Sequence, residues 1–257
     1  MTPDVVVDIG NSRMKWGVCR DNRVIDVIRL PLDDEAAWEA AWKDLPPFRA
    51  FHRKWAVASV NRPALLRFIG FTYDRGGTVV FESHIELPIK LNVDEPGKVG
   101  LDRLFGAIAA KSMAPPETPV ITVDVGTAVT VNLVDAEGVF QGGAIFPGPS
   151  LMAKSLHDYT KQLPLIDVTD IRALEDDSPA KNTQAAILLG ITAALDAGIS
   201  STVVNFAMID QDRHSWAFIT GGGCPSLELV HQPGITSTQR VPALNLEGIR
   251  IAAEALP

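Results

Sequence analysis

Two stretches of this chain are built alike and lie nearly half its length apart. Val5-Val6-Val7-Asp8-Ile9-Gly10-Asn11-Ser12 and Ile121-Thr122-Val123-Asp124-Val125-Gly126-Thr127-Ala128 each run β-branched residues into Asp, an apolar residue, Gly and small residues. Such runs favour strands, and glycine at the tip favours a turn. A further strand pattern follows each copy. A strand–turn–strand unit repeated across 257 residues predicts a duplicated α/β chain. The expected lobes are 1–115 and 116–257, with a ligand cleft between the halves.

The turns suggest phosphate. A phosphate-binding turn needs exposed backbone N–H groups, a glycine where a side chain would block approach, and hydroxyl or amide donors. Gly10, Asn11 and Ser12 supply that set in the first copy, and Gly126, Thr127 and Thr130 in the second. The aspartates repel phosphate, so their role would be to hold a cation or its water shell against it. A plain Asp-Gly hairpin turn explains one copy as well as a ligand does; two copies, with Gly221-Gly222-Gly223, favour nucleotide. No Gly-x-x-x-x-Gly-Lys-Ser/Thr and no Gly-x-Gly-x-x-Gly at a strand–helix turn occurs, which argues against P-loop and Rossmann folds. Lys15 could reach a phosphate or be a solvated strand lysine.

Between the copies, MKWGVCR and VIDVIRL read as hairpin arms. Residues 34–44 have helical spacing, with Trp38 and Trp42 on one face, and Pro46-Pro47 stops them. Residues 55–60 and 78–82 read as strands, and Pro63 begins a helix. Residues 92–98 form a loop delivering Gly100-Leu101-Asp102-Arg103 to an apolar helix that ends at Pro115-Pro116. Residues 141–150 are rich in Gly and Pro and read as a loop, followed by an amphipathic helix to about Leu163. Thr183 opens a long apolar helix, and Trp216–Thr220 is a strand.

Composition narrows the partners. A net charge of −8 and the lack of a basic–aromatic patch argue against nucleic acid. Cys19 and Cys224 are the only cysteines, which suits a reducing cytoplasm. No signal peptide is evident. The most apolar window, Ala185 to Leu195, is followed by Asp196 and is too short for a bilayer, so no membrane is expected. His52, His84, His157, His214 and His231 show no ligand spacing, and zinc is not indicated.

Asp102-Arg103 at a helix start has two readings. Asp102 could cap the helix and Arg103 could pair with a surface acid. Alternatively Asp102 is a general base toward a hydroxyl and Arg103 clamps an anionic substrate group. The residues alone favour the first.

Taken in order, the chain resembles the type III pantothenate kinases. The resemblance runs through Asp8–Ser12, Gly100–Arg103, Asp124–Ala128, Gly142-Gly143-Ala144-Ile145-Phe146-Pro147-Gly148, Leu163-Pro164, Asn182-Thr183, Thr220-Gly221-Gly222 and Leu244-Asn245-Leu246-Glu247-Gly248. It implies a duplicated ribonuclease H-like (actin/hexokinase-like) α/β fold, two lobes with mixed β-sheets flanked by helices. It further implies ATP-dependent phosphorylation of pantothenate to 4′-phosphopantothenate, the first step toward coenzyme A.

By this likeness Asp102 is the proton acceptor, and Gly100, Leu101, Asp102 and Arg103 line the pantothenate site. Asp8, Ile9, Gly10, Asn11, Ser12, Arg13, Met14, Lys15 and Thr127 contact ATP, which carries Mg2+. Asp124 binds a monovalent cation, K+ or NH4+, beside Asn132. Thr183 completes the pocket of a neighbouring subunit in a homodimer whose second lobe carries the dimerisation helices. Three positions depart from the family's pattern: Leu101 where a small residue is usual, Val93 near a common Tyr, and Asn132 where Asp is common. A kinase for another small hydroxylated substrate, or a nucleotide-binding accessory protein of the same family, stays open on the residues alone.

Overall fold

The computed structural model describes residues 1–46, 53–168, 179–210, 212–222, 229 and 231–256. In chain order its elements are β1 (Val5–Ile9), β2 (Met14–Arg20), β3 (Arg23–Leu30), α1 (Glu35–Asp44), β4 (Arg53–Ser59), α2 (Arg62–Thr72), β5 (Gly76–Phe81), the two-residue β6 (Lys90–Leu91) and α3 (Leu101–Met113). There follow β7 (Val120–Val125), β8 (Ala128–Val134), β9 (Val139–Pro147), α4 (Pro149–Asp158), α5 (Thr183–Ala207), β10 (Ser215–Thr220), β11 (Ile235–Arg240) and α6 (Leu244–Ala255). The chain forms two compact units, Met1–Met113 with Ala243–Pro257, and Ala114–Pro242.

In the first unit the strands lie in the order β3-β2-β1-β4-β5. Val5, Val6 and Val7 are wholly buried, as a central strand with both faces covered requires. β1 runs antiparallel to β2 and parallel to β4. The β2–β3 hairpin closes through Asp21 and Asn22, both at positive φ, the two-residue turn whose twist matches its strands. Asp34 accepts a hydrogen bond from the Ala37 amide to start α1, and Asn61 does the same for α2, where Pro63 occupies the first turn. Trp16, Trp38, Trp55 and Phe68 meet mainly edge to face beneath this sheet.

The second unit repeats the plan. β9, β8, β7, β10 and β11 lie in that order, with β7 antiparallel to β8 and parallel to β10. Strand for strand this is the order of the first unit, so the repeat in the sequence is a repeat of topology. One face of the β7–β8–β10 sheet is apolar and holds α5 through Ile187, Ile191, Leu195, Ile199 and Val203. Those residues recur every fourth position and form one stripe.

Several expectations need correction. Residues 141–147 are strand, not loop: a Cβ on Gly143 would overlap the Val131 carbonyl oxygen, so glycine lets β9 lie close on β8. The following helix stops at Asp158, well short of Leu163. The apolar window is part of a 25-residue helix, because Asp196 is accommodated mid-helix, half-buried. Its mean hydropathy of 1.7 and its length would suit a membrane span, although its stripe packs on the sheet as a core helix does. The edge strand β11 was not foreseen. Finally, α6 joins the first unit, not the lobe that precedes it in sequence, because Leu244, Leu246, Ile249, Ala252 and Ala253 bury against α3 and the first sheet.

Candidate active site

The two Asp-containing turns sit at the same place in their sheets but differ in detail. The first is four residues long, Gly10 to Arg13, and the second only two, Gly126 and Thr127. In the first, the Gly10 amide donates to the Arg13 carbonyl at 3.1 Å, and Asn11, Ser12 and Arg13 are exposed. The Val60 amide donates to the Ile9 carbonyl at 3.0 Å and holds the turn against the end of β4. Ile9 and Met14, expected to contact ATP, have wholly buried side chains; Met14 Sδ accepts a hydrogen bond from the Trp16 indole. Of these two residues the backbone is what a ligand could meet, as strand alternation requires.

In the second turn the Gly126 amide donates to the Ala128 carbonyl at 3.0 Å, and the Gly148 amide to the Thr127 carbonyl at 3.0 Å. Gly148 and Gly221 back this turn at close range. A Cβ on Gly148 would overlap the Gly126 carbonyl oxygen, and one on Gly221 the Val125 carbonyl oxygen. Gly221 also has φ of +96°, which glycine adopts without strain. Pro-Gly-Pro at 147–149 and Gly221-Gly222 were the visible signals of these backing positions. Gly223, read with them, lies outside the described residues.

Register separates the two aspartates. Asp8 is paired with Lys15 across β2 and with Ala58 across β4. The Lys15 ammonium lies 3.8 Å from the Asp8 carboxylate. Asp124 is paired with Thr130 across β8 and with Thr220 across β10. The first carboxylate therefore carries its own counter-charge, and the second lies between two hydroxyl-bearing residues. Asn132 does not face Asp124 directly: it pairs with Thr122, two positions along, and donates to the Thr122 hydroxyl at 3.1 Å. Its placement beside a cation at Asp124 is thus only diagonal.

Asp102 and Arg103 are the second and third residues of α3, in its first turn. Asp102 Oδ1 accepts the Arg103 amide at 2.9 Å, and that amide also donates to the Gly100 carbonyl at 3.1 Å. A Cβ on Gly100 would stand 2.5 Å from Asp102 Oδ1, so glycine there makes room for the carboxylate. Burial pushes the Arg103 guanidinium pKa down, and Asp102 opposes that shift. Both side chains and Leu101 are half-buried.

Thr183 is the first residue of α5, beside Asn182, whose side chain accepts from the Ala185 amide. It is exposed, in the wall of a groove of about 800 Å3 lined by Met152, Leu156, Leu163, Ala186 and Ile187. α5 packs on the face of the sheet formed by Ile121, Val123 and Val125, whereas Asp124 lies on the opposite face by strand alternation. Among the described residues no three His, Cys, Asp or Glu side chains converge on a metal. A cation at Asp124 would rely on hydroxyl, carbonyl and phosphate oxygens.

The sequence model of the type III pantothenate kinases matches residues 5–205. The chain belongs to that family. A type III pantothenate kinase of Paraburkholderia phymatum is 29% identical over 100% of this chain and 96% of its own length. One from Halorhodospira halophila is 33% identical over 85% of this chain and 86% of its own. One from Rhodopirellula baltica is 40% identical, across 54% of this chain and 52% of that protein.

Solved structures bear on the fold. A Baf family protein from Campylobacter jejuni superposes with a TM-score of 0.56 at 16% identity, covering 97% of each chain. MreB 5 of Spiroplasma citri gives 0.52 at 10% identity, over 99% of this chain and 96% of its own. A ROK hexokinase from Thermus thermophilus gives 0.50 at 12%, over 96% and 97%. The fold is therefore actin/hexokinase-like, and the family makes the chain a nucleotide-binding kinase that uses ATP with a divalent metal.

Proposed function

We propose that the chain phosphorylates the primary hydroxyl of pantothenate, with Asp102 as proton acceptor and Asp8 to Lys15 as the principal ATP-phosphate turn. The observation that carries the reading is the family match across residues 5–205 together with Asp102 held in the first turn of α3. Oδ1 is engaged by the Arg103 amide, so Oδ2 is the oxygen that takes the proton. The hydroxyl oxygen forms a bond to the γ-phosphorus, the bond from that phosphorus to the ADP oxygen breaks, and the hydroxyl proton passes to Asp102. Arg103, with Gly100 and Leu101, binds the acceptor and its carboxylate.

In the first unit Asn11, Ser12 and Arg13 are exposed and offer amide, hydroxyl and guanidinium donors to phosphate; in the second, Thr127 is exposed and offers an amide and a hydroxyl. Lys15, now against Asp8, is within reach of the same anion. Mg2+ neutralises phosphate charge when ATP is bound. Asp124, between Thr130 and Thr220, holds the monovalent cation, K+ or NH4+, because a carboxylate among hydroxyls suits a hard cation.

The outward face of α5 exposes Ala186, Gly190, Ala193, Ala197 and Ser201. A second copy covering it gives a homodimer and brings Thr183 to the neighbour's acceptor site. The protein works in the cytoplasm, free of membrane and nucleic acid, as the overall charge of −8 and the sheet-packed α5 suggest.

The test is ADP release that depends on pantothenate, with Mg2+ and K+, for the wild type and for Asp102→Asn. Removing one general base is expected to lower kcat about 10²–10⁴-fold with little change in ATP binding. Turnover in the variant equal to wild type removes Asp102 from the reaction; no wild-type turnover with pantothenate removes the substrate. Asp124→Ala should lose the stimulation by K+.

A further inference from the structure

The reaction reading makes α3 the carrier of the proton acceptor, which raises the question of what seats α3. Its residues Leu104 to Ala110 are all buried, and its helical neighbour is α6. The backbones approach closely at Gly248 on α6, and Gly106 on α3 sits against the Asn245 side chain nearby. A Cβ on Gly248 would overlap the carbonyl oxygen and carbon of Phe105 and lie 2.7 Å from its Cα. Those are backbone atoms, so no side chain can swing away. Phe105 is one helical turn from Asp102.

A second feature decides which helix would move. Glu247, adjacent to Gly248, accepts the Val24 amide of β3 at 2.7 Å through Oε1 and the Arg250 Nε–H at 2.7 Å through Oε2. Arg250 Nη1 donates to Glu254 at 2.7 Å. The side chains of Glu247 and Arg250 are each only 9% exposed. The amino group of Met1 donates to the Ala253 carbonyl at 2.8 Å. α6 is thus fastened to the sheet at its crossing with α3, and a bulge on α6 displaces α3.

We propose that Gly248 is a positioning residue, which sets the depth at which α3 seats and so places Asp102 for proton transfer. Glu247, through its bonds to Val24 and Arg250, makes that seat rigid. This rests on the reading of Asp102 as the proton acceptor. No atom of Gly248 need touch substrate for it to matter, since a displacement of about 1 Å at a reacting group costs about 10²-fold in rate.

The experiment compares wild type, Gly248→Ala, Glu247→Gln and the double variant. kcat is expressed per ATP-binding site, counted by titration with a non-hydrolysable ATP analogue. Gly248→Ala is expected to lower kcat per site about 10²-fold, with the ATP KM within about twofold of wild type. Releasing the anchor should let α6 yield, so the double variant should recover about tenfold of that loss while being less stable than either single variant. A purely structural role predicts normal kcat per folded site in Gly248→Ala, or no recovery of kcat in the double variant; either result overturns the proposal. If Gly248→Ala does not fold, Glu247→Gln alone carries the test: kcat should fall with ATP binding intact, and unchanged kcat overturns it. If the wild type shows no turnover with pantothenate, the substrate reading has failed separately. Amide exchange at residues 101–105 then tests the seat directly, and equal exchange in wild type and Gly248→Ala overturns it.

Discussion

Replacing Arg250 by Met should be among the most damaging single changes outside the site. Arg250 Nε and Nη1 each make a 2.7 Å bond, one to Glu247 and one to Glu254. Burial works against the Arg250 charge, but the two carboxylates outweigh it and hold the guanidinium pKa up. Met fills much of the volume and leaves Glu247 buried with a charge and, among the described residues, the Val24 amide as its remaining side-chain hydrogen-bond partner. Breaking a buried pair in this way costs about 3–5 kcal/mol. Glu254 is 28% exposed and recovers some hydration, so the lower half of that range is expected. For a chain of this size the loss corresponds to roughly 10 °C in Tm. Trp16, Trp38 and Trp55, wholly buried in the first unit, provide the fluorescence signal for chemical denaturation of that unit. Changing Glu247 and Glu254 to Gln together with Arg250→Met removes the stranded charges, and should restore at least half of the loss. A single variant within about 1 kcal/mol of wild type, or a triple variant no better than the single, would refute the account of α6 as an ion-anchored helix.

Two further outcomes follow from other parts of the molecule. Burial pushes the Cys19 thiol from its ordinary 9.0 up to about 12, with Arg250 opposing. The folded form keeps its proton where the unfolded chain loses it, so this stability is present below pH 9 and is lost as pH rises through 12; the slope is at most about 1.4 kcal/mol per pH unit. Denaturation of wild type and Cys19→Ala from pH 8 to 10.5 should show the difference shrinking in that sense, and parallel curves would contradict it. On α5, Ala197→Arg places a charge on the exposed small-residue face and should convert a dimer to monomer in sedimentation velocity; a wild-type monomer at working concentration would contradict the dimer itself.

Much of the fold was legible because the informative residues are local. β1 and β7 announce themselves as β-branched runs, and Asp34, Asn61 and Asn182 mark helix starts through caps that the structure shows. What escaped depends on neighbours distant in sequence. Gly142 and Gly143 look like loop residues until β8 is known to lie against them. Ile-Thr-Ser-Thr-Gln-Arg of β11 has weak apolar alternation because it is an edge strand. Glu247 and Arg250 carry charges, yet they are core residues of α6. For the site, the turns at Asp8 and Asp124 were visible in the residues, whereas Asp102 read there first as a helix cap, and register was not visible at all. Only pairing shows Lys15 opposite one aspartate and Thr130 opposite the other.

The return of α6 to the first unit has a consequence for biogenesis. The chain leaves that unit at Met113 and re-enters it only at Ala243, after the whole of the second unit. A ribosome therefore completes one unit while the other still lacks a helix, with the apolar back of α3 awaiting its cover. Contacts between β1 and α6 close nearly the full length of the polypeptide, the kind of long-range step that slows folding and leaves sticky surface exposed meanwhile. A nascent chain truncated before Ala243 would be a substrate for chaperones and proteases and not a partial kinase. A helix made only after the second unit is the one that makes the first unit whole.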